Sequence, residues 1–419
     1  MSISVKGLPK NSRDDHSRSI IAKRQEYLSQ VADVAFDAVG CSTIDPQLTR
    51  GNIENLIGFA QVPMGVVGPL RIDGEHAKGD FFVPMATTEG ALVASYNRGA
   101  RVLTLSGGVR VVSTRDAIQR APYFVLRDIK QAKAFTLWLR AHFKDLHSIV
   151  AKSTRHGKLQ DFSTYLIGRS VYVRFEYSTG DAMGMNMITK ATQDVCRYIA
   201  SQFEVVKWVI ESNMAVDKKP AQIHMVLGRG KSVSAEALIP AQILRRFLGT
   251  TAAELASNIR SQMIGNAIAG VIGCTYQFAN GVSAIFLACG QDLANISESA
   301  IGAVNFEDQA GDLYVSAYLP SIVVGTVGGG TGLPTQREAL RIMDCQGAGK
   351  ACKFAEIVAA TLLAGEISLA AAVAAGDFVS AHEKYGRNRP EEVRGSPNAS
   401  LLWQAEGEDP DEAVSCTTV

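Results

Sequence analysis

The pattern of apolar and polar residues changes between helical and strand periodicity several times along the chain. A polar beginning leads into a helix predicted over residues 19–38, and turns marked by Gly and Pro follow within residues 51–120. A second helix is predicted from Thr88, with Thr87 and Thr88 as candidate N-caps. The last predicted helix covers residues 366–385.

Residues 122–209 have a rhythm of their own, which predicts an inserted domain. Strands are predicted near 123–126, 170–177 and 205–210, with helices near 131–152 and 189–203 between them. This β-α-β-α-β order is typical of a small α/β domain. The other predicted parts are an N-terminal helical segment (1–50), a large domain (51–121 with 210–386) and a disordered tail (387–419).

Composition and charge narrow the class of protein. The 419 residues hold 42 Lys and Arg against 41 Asp and Glu, so neither nucleic acid nor an anionic membrane is an expected partner. Seven Cys without a CxxC motif predict reduced thiols in the cytoplasm and no metal site. The uncharged run 261–291 is interrupted by Asn and Gly, which favours buried helix and strand over a membrane span.

The segment Asp181-Ala182-Met183-Gly184-Met185-Asn186 is the least ordinary string in the chain. A Gly-containing turn lets backbone N–H groups approach a ligand, and thioethers offer a soft surface to a flat ring. A Met-rich turn can equally fill a core. The Gly cluster 325–332 lacks the spacing of a dinucleotide fingerprint, so a Rossmann domain is not predicted, and either a ligand or tight packing explains it.

Four charged side chains are candidates for chemistry. Glu89 stands at a predicted helix start, where it can cap the helix or, if buried, donate a proton. Lys218, in Asp217-Lys218-Lys219-Pro220, belongs to an ordinary charged loop before a predicted strand or stabilises an oxyanion. Asp292 closes the uncharged run and needs a partner, for which Lys218 is a candidate. His382 follows a helix whose C-terminus favours its protonated form.

Seven segments, taken in order, resemble the catalytic portion of class I hydroxymethylglutaryl-CoA (HMG-CoA) reductases. They are Glu54 to Gly58, Pro84 to Gly90, Asp181 to Asn186, Asp217 to Pro220, Gly228 to Lys231, Gly290 to Asp292 and Gly325 to Thr331. The resemblance implies an α+β, non-Rossmann fold in which a small ferredoxin-like NADP-binding domain is inserted into a large HMG-CoA-binding domain. It also implies a homo-oligomer, usually a tetramer, with active sites between subunits and no membrane domain in this chain.

The resemblance implies NADPH-dependent reduction of HMG-CoA to mevalonate and CoA, by two hydride transfers, for isoprenoid synthesis. Lys218 would stabilise the oxyanion, and Asp292 would keep Lys218 charged. Glu89 would supply a proton in the aldehyde step, and His382 would protonate the CoA thiolate.

Binding residues are carried over from the same resemblance. The expected cofactor residues are Thr154, Arg155, His156, Asp181, Ala182, Met183, Gly184, Met185 and Asn186, with Arg155 on the 2′-phosphate. The expected substrate and CoA residues are Ser95, Tyr96, Asn97, Arg98, Gly99, Ala100, Arg101, Arg120, Asn213, Asp217, Lys219, Pro240, Ala241, Gln242 and Asn280.

Four positions depart from the family pattern. Gln242 and Ser261 stand where the family has Lys, with Arg260 beside Ser261; Gln277 stands where it has His; and Glu211 places an acid near an anionic substrate. Two alternatives therefore stay open. One is a weakened homologue that binds an inhibitor for self-resistance or pairs with an active subunit, and the other is a reductase of a related acyl-CoA.

Overall fold

The computed structural model describes residues 7–376 and shows a mixed α/β fold. Its strands are β1 (Met64–Gly74), β2 (Lys78–Ala86), β3 (Val109–Arg120), β4 (Tyr123–Val125), β5 (Lys158–Ile167), β6 (Ser170–Ser178), β7 (Lys207–Val209), β8 (Gly230–Ile239), β9 (Ala303–Gln309) and β10 (Asp312–Ile322). Its α-helices are α1 (Arg18–Ala32), α2 (Leu92–Leu105), α3 (Ile129–Ala141), α4 (Phe143–Ser153), α5 (Met185–Gln202), α6 (Gln222–Leu227), α7 (Ala241–Ile243), α8 (Ala252–Ala269), α9 (Phe278–Ala288), α10 (Ile296–Ser299), α11 (Pro334–Ile342) and α12 (Ala351–Ala374).

The long strand β3 joins two parts of a mostly antiparallel sheet. Its first part pairs antiparallel with β8 and parallel with β1, and its last three residues pair with β6. The strand order is β7-β4-β6-β3-β8-β10-β9, with β5 beside β6 and β2 beside β1. The backbone therefore passes along β3 from one packing unit to the other.

Each part of the sheet covers its own hydrophobic core. The larger core takes residues from β1, β2, α2, β8, α9, β10 and α12. The smaller core takes its buried residues from 118–199, with Val323 added from the loop after β10. Alternating burial along β6 and β10 places one face of each strand on a core, as period-two side chains require.

Helix α12 is the central helix of the larger core. By length and composition it is long and apolar enough to cross a membrane, but 83% of its apolar window is buried inside the protein. Its polar side chains bind other elements: Glu356 accepts backbone N–H groups of His76 and Ala77, and Glu366 accepts those of Tyr276 and Gln277. The helix is therefore a scaffold to which the β1–β2 turn and the start of α9 are attached.

Several predicted elements are corrected by the structure. The helix predicted from Thr88 begins at Leu92 with Ala91 as N-cap, so Thr87 and Thr88 do not cap it. The strand predicted after Pro220 is the helix α6. The inserted pattern contains an additional strand, β5, and its first helix is divided at His142 into α3 and α4. The last predicted helix begins at Ala351, fifteen residues before its predicted start, and ends at Ala374, before its predicted end at residue 385. His382 and the predicted tail lie outside the described residues.

Glu366 gives the protein a predictable response to pH. Burial raises the pKa of this carboxyl from 4.5 to about 7, against the effect of its backbone N–H donors. The folded protein therefore holds a proton that the unfolded chain releases above pH ~4.5, and stability falls as pH rises from there to about 7. Gln carries no ionisable proton, so the free energy of unfolding of Glu366→Gln should fall less between these pH values than that of wild type. We expect the two falls to differ by on the order of 3 kcal/mol. Chemical denaturation at pH 5 and pH 7.5 measures the slope, and equal slopes for both proteins would contradict the assignment.

Candidate active site

Lys218 and Asp292 form a partly exposed ion pair, which confirms the partner expected for Asp292. The Lys218 Nζ lies 2.8 Å from Asp292 Oδ2, with 43% and 32% of the two side chains exposed. The hydrogen bond to Asp292 raises the pKa of Lys218 above 10.5, so the ammonium stays charged at neutral pH. Asp292 is itself fixed, because its other carboxylate oxygen accepts the N–H of Ala294. The ammonium of Lys218 is therefore fixed in place and can be reached by solvent or a ligand.

The segment that carries Lys218 has an unusual backbone. Asn213, Val216 and Lys218 have φ of 65°, 50° and 56°, in the left-handed region that side chains other than Gly disfavour. Asp217 anchors the segment through an ion pair of 2.6 Å to the buried Arg229. Lys219 is exposed, and its Nζ donates to the Asp217 carbonyl at 3.1 Å.

The Met-rich segment 181–186 is a tight turn that starts α5. Gly184 has φ of 83° and is the N-cap of the helix, which has no side-chain cap. A Cβ at Gly184 would stand 2.5 Å from the Thr179 methyl, so only Gly fits this turn. Met185 is buried, Met183 is half-buried and Asn186 is exposed. The first amides of α5 are thus free of side-chain caps.

Asp181 supports this turn by binding the start of α12. Its carboxylate accepts N–H groups of Gly349, Lys350 and Ala351 at 2.7, 3.0 and 3.0 Å. Burial opposes ionisation, but these three donors outweigh it and lower the pKa of Asp181. The carboxylate, expected from the sequence to meet the cofactor, is therefore occupied by backbone amides.

The Gly cluster 325–332 connects the Asp181 turn to the Asp292 loop. The Thr326 N–H donates to the Asp181 carbonyl at 2.8 Å, and the Gly325 N–H donates to the Gln291 side chain at 2.9 Å. A Cβ at Gly325 would lie 2.7 Å from the Met183 nitrogen, whereas Gly328 has open space around the Cβ position. Tight packing explains part of this cluster, and the rest borders open space.

Glu89 lies apart from Lys218 within one chain. Its Oε1 accepts the side-chain amide of Asn280 at 3.4 Å, and it is exposed. Asn280 is near the start of α9, whereas Asp292 follows the end of that helix. The helix between Asn280 and Ala288 alone is about 12 Å long. The Glu89–Asn280 contact and the Lys218–Asp292 pair therefore lie at opposite ends of α9.

The expected CoA segment is largely structural in this chain. Tyr96, Gly99 and Ala100 are buried, and the Tyr96 hydroxyl donates to the Gln277 carbonyl at 3.0 Å. In the structure these residues pack α2 against α9 and α12. Ser95 and Arg98 hydrogen-bond Ser368 of α12.

Arg101 is the exposed cation of this segment. Its guanidinium lies over the Phe247 ring, 5.2 Å from the centroid. Asn97 accepts the Gly68 N–H at 3.0 Å.

The remaining expected binding residues occupy three further places. Arg120 is 13% exposed and pairs with Glu211 at 2.9 Å, which neutralises the acid that departs from the family pattern. Thr154 accepts the N–H groups of His156 and Gly157, so Arg155 and His156 project from a tight turn and are exposed. Pro240 and Ala241 begin α7, and Gln242 is exposed.

Comparison with known proteins decides the family. The sequence model of hydroxymethylglutaryl-coenzyme A reductase matches residues 20–387. The chain belongs to the HMG-CoA reductase family. It is 46% identical over 373 residues to 3-hydroxy-3-methylglutaryl-coenzyme A reductase of Aeropyrum pernix, covering 87% of this chain and 89% of that protein. It is also 46% identical over 374 residues to the Pyrococcus abyssi protein of the same name, covering 87% of this chain and 92% of that protein.

Solved structures show the same fold at low sequence identity. The class II HMG-CoA reductase of Streptococcus pneumoniae bound to NADPH matches with a TM-score of 0.62 and 18% identity, over 78% of this chain and 79% of that one. A second structure of that enzyme matches with a TM-score of 0.63 over 84% of this chain. At this identity the likeness concerns the fold alone.

The departures from the family pattern have distinct surroundings. The Gln277 side chain donates to the Gly365 carbonyl of α12 at 2.6 Å, and so it supports the helix rather than Lys218. Ser261 and Arg260 are exposed on α8, where Arg260 borders a groove that also contains Glu307 and Asp308.

Sequence reasoning missed a buried charged set behind Lys218. Arg229 and Glu298 are both fully buried and 3.2 Å apart, and the same carboxylate oxygen accepts the Lys218 N–H at 3.2 Å. Burial raises the pKa of Glu298 to about 7 despite the nearby Arg229. The sequence feature that could have indicated this set is Gly228-Arg229-Gly230-Lys231, in which an Arg stands between two Gly at the start of a strand.

Proposed function

We propose that this protein reduces HMG-CoA to mevalonate and CoA at the expense of two NADPH, as a class I member of its family. One observation carries the proposal: a charged Lys218–Asp292 pair stands beside the Gly-rich loop that binds the Met-rich turn. Family membership over most of the chain supports the reaction. The Asp217-Lys218-Lys219-Pro220 string favours class I.

Lys218 supplies the electrostatic part of the chemistry. When bound, NADPH provides hydride for each of the two reductions. Hydride addition to a thioester or aldehyde carbonyl leaves negative charge on oxygen, and a fixed ammonium stabilises that charge more than it stabilises the neutral carbonyl. Asp292 keeps the ammonium protonated and oriented. Overall, one HMG-CoA, two NADPH and two protons are consumed, and one mevalonate, one CoA thiol and two NADP+ are released.

Glu89 is proposed to reach Lys218 from a second subunit. Within one chain, the Glu89–Asn280 contact and the Lys218–Asp292 pair lie at opposite ends of α9. Both pairs are accessible, so two copies can face each other and bring an acid to the ammonium. The site is therefore proposed to form between subunits of a homo-oligomer, where Glu89 protonates the alkoxide of the aldehyde step. His382 keeps its proposed role as the acid for the CoA thiolate.

The unit built on the smaller core is proposed as the inserted ferredoxin-like NADP-binding domain, residues 122–209. Its residues suit the group: the α5 N-terminus offers uncapped amides, and Arg155 and His156 project from the Thr154 turn. The Arg155 guanidinium on a rigid turn favours phosphate, and helix N-termini favour anions. Met183, Gly184 and Asn186 would line the nicotinamide side.

HMG-CoA is proposed to bind across the larger unit and the Lys218 segment. Arg101, exposed beside Phe247, suits a CoA phosphate. Asn213 and Lys219 are exposed on the same segment as Lys218 and suit the free carboxylate of the acyl group.

Replacing Arg155 by Ser is expected to change cofactor preference. If Arg155 meets the 2′-phosphate, R155S loses one charge-assisted contact, worth about 1.5–3 kcal/mol, and the KM for NADPH rises roughly ten- to a hundredfold. The KM for NADH, which lacks that phosphate, should change little. Steady-state kinetics with both cofactors gives the ratio, and Arg197→Ser on the same domain is a control whose ratio should match wild type. Equal loss with both cofactors would contradict the role of Arg155.

The direct test of function is the stoichiometry of NADPH oxidation. Purified full-length protein with saturating HMG-CoA should consume two NADPH for each CoA thiol released. A folded protein that binds HMG-CoA without oxidising NADPH would instead indicate a binding homologue, and turnover only with a different acyl-CoA would indicate a shifted substrate.

A further inference from the structure

Arg229 has contacts on both halves of the proposed site. It is fully buried, and its Nη2 donates both to Asp217 Oδ1 at 2.6 Å and to the Met185 sulfur at 3.2 Å. Asp217 immediately precedes Lys218, and Met185 is the first residue of α5 after the Gly184 turn. One nitrogen therefore joins the segment that carries the ammonium to the turn proposed to bind nicotinamide.

The other donors of Arg229 fix its position. Nη1 donates to the carbonyls of Gln119, in β3, and Ala215, in the Lys218 segment, at 3.1 and 3.4 Å. Nε donates to Glu298 Oε1 at 3.2 Å, and the same oxygen accepts the Lys218 N–H. The planar guanidinium uses all three nitrogens in this way, a geometry that the single ammonium of Lys cannot reproduce.

Glu298 is a buried counter-charge placed on the Lys218 backbone. Its side chain is fully buried, and Oε2 has no hydrogen-bond partner among the described residues. A buried carboxylate with a free oxygen is costly to the fold, so its position behind the reactive segment calls for a reason. The contacts of Oε1 supply that reason: one is the Lys218 N–H itself, and the other is Arg229, which binds Ala215 and Asp217 of the same segment.

The backbone of this segment needs such anchors. Three residues other than Gly are in the left-handed region, and each would leave it readily if the segment were free. The anchors are the Ala215 carbonyl, the Asp217 carboxylate and the Lys218 N–H, and all three bind Arg229 or Glu298. Loss of either partner should therefore let Lys218 leave Asp292.

We infer that Arg229, supported by Glu298, is a positioning residue that fixes the Lys218 segment relative to the start of α5. The inference rests on the proposed function for its catalytic consequence. Arg229 touches neither substrate nor reacting atoms in this assignment, and it acts through Asp217 and Met185.

Arg174 provides a matched control. It is also fully buried, pairs with Glu176 at 2.8 Å and donates to the Gly228 carbonyl at 3.1 Å. Within residues 7–376, its side chain forms no hydrogen bond or ion pair with Asp217, Lys218 or Met185. Arg229→Lys and Arg174→Lys thus remove the same guanidinium from similar surroundings, and only the first removes the contacts to the two segments.

The first experiment compares the kinetics of the two variants in the full-length protein. We expect R229K to lower kcat roughly a hundredfold, because misplacement by about 1 Å is enough to do so. KM values for HMG-CoA and NADPH should change by less than about tenfold, since the binding groups remain. R174K should keep kcat of the same order as wild type. Equal kcat values for R229K and R174K, measured on protein with matching thermal melting, would overturn the inference.

Glu298 variants keep the test valid if R229K does not fold. The amide oxygen of Glu298→Gln still accepts the Arg229 and Lys218 donors, whereas Glu298→Ala removes both contacts. We expect E298Q to retain kcat within about tenfold of wild type and E298A to lose roughly a hundredfold. Equal kcat in E298A and wild type would overturn the inference.

Amine labelling reads the position of Lys218 without any turnover. A pulse of acetic anhydride at pH 9, followed by peptide mass spectrometry, compares Lys218 with Lys219 in one peptide. If R229K frees Lys218 from Asp292, its labelling relative to Lys219 should rise severalfold, because the hydrogen bond that raises the pKa of Lys218 is lost and a larger fraction of the amine is neutral. An unchanged ratio would overturn the inference. Wild type that fails to oxidise NADPH would refute only the proposed function, and the labelling ratio would still decide the positioning role.

Discussion

Replacing Lys218 by Met is expected to lower kcat by about 10²–10³, since it removes the charge that stabilises the oxyanion and leaves the side-chain length nearly unchanged. KM for HMG-CoA should change much less, because the effect is confined to the transition state. Steady-state NADPH oxidation measures both constants. Lys78→Met is the control: Lys78 also pairs with an aspartate, Asp73, at 3.9 Å, but both side chains are more than 70% exposed. K218M with the activity of K78M would mean that Lys218 has no role in the chemistry.

The partner variant Asp292→Asn adds a pH test of the same assignment. The hydrogen bond to Asp292 raises the pKa of Lys218, so the active ammonium persists to higher pH than an isolated lysine would allow. Removing the carboxylate charge should move the alkaline limit of kcat/KM to lower pH and should lower kcat at neutral pH as well. An alkaline limit that stays in place would assign that titration to another group.

Replacing Asp181 by Ala is expected to damage stability and cofactor binding together. The side chain binds three backbone amides at the start of α12, and the same residue's carbonyl binds the Gly-rich loop. Loss of these charge-assisted contacts at a helix start should cost about 3 kcal/mol of unfolding free energy. The KM for NADPH should rise with it, because the turn before α5 loses its support.

A surface aspartate supplies the comparison for Asp181→Ala. Asp161 pairs with Arg140 at 2.6 Å, but more than half of each side chain is exposed, so Asp161→Ala should cost no more than about 0.5 kcal/mol. Thermal melting and NADPH kinetics on both variants give the two readings. A rise in KM for D181A without any loss of stability would show that Asp181 contacts the cofactor directly, as the sequence-based expectation had it.

Charge chemistry near Lys218 was partly predictable from the sequence. An aspartate at the end of a long uncharged run needs a cation, and Lys218 was the reasonable choice, which the structure confirms. The role of Asp181 was not predictable, because its partners are amides some 170 positions away. Glu298 was missed because the residues around it in the sequence do not show whether its carboxylate is buried or exposed.

The starts of two helices show where hydrophobic periodicity fails to predict an element boundary. Helix α12 begins fifteen residues before its predicted start because most of its side chains are small or apolar on every face. Such a helix has no amphipathic stripe by which to recognise it. Helix α2 starts later than predicted, because Ala91 adopts a left-handed conformation with φ of 70° where Thr88 was expected to cap.

The attachments of α12 also limit how the chain length can vary. Asp181, the β1–β2 turn, the start of α9 and the Arg98 side chain bind this helix at Ala351, Glu356, Glu366 and Ser368, respectively. A single residue inserted after Glu356 would rotate Glu366 and Ser368 by about 100° relative to it, so those attachments could not all be kept. Insertions and deletions that preserve the site should therefore be confined to surface loops, and an insertion scan along the chain would show α12 as a continuous intolerant stretch.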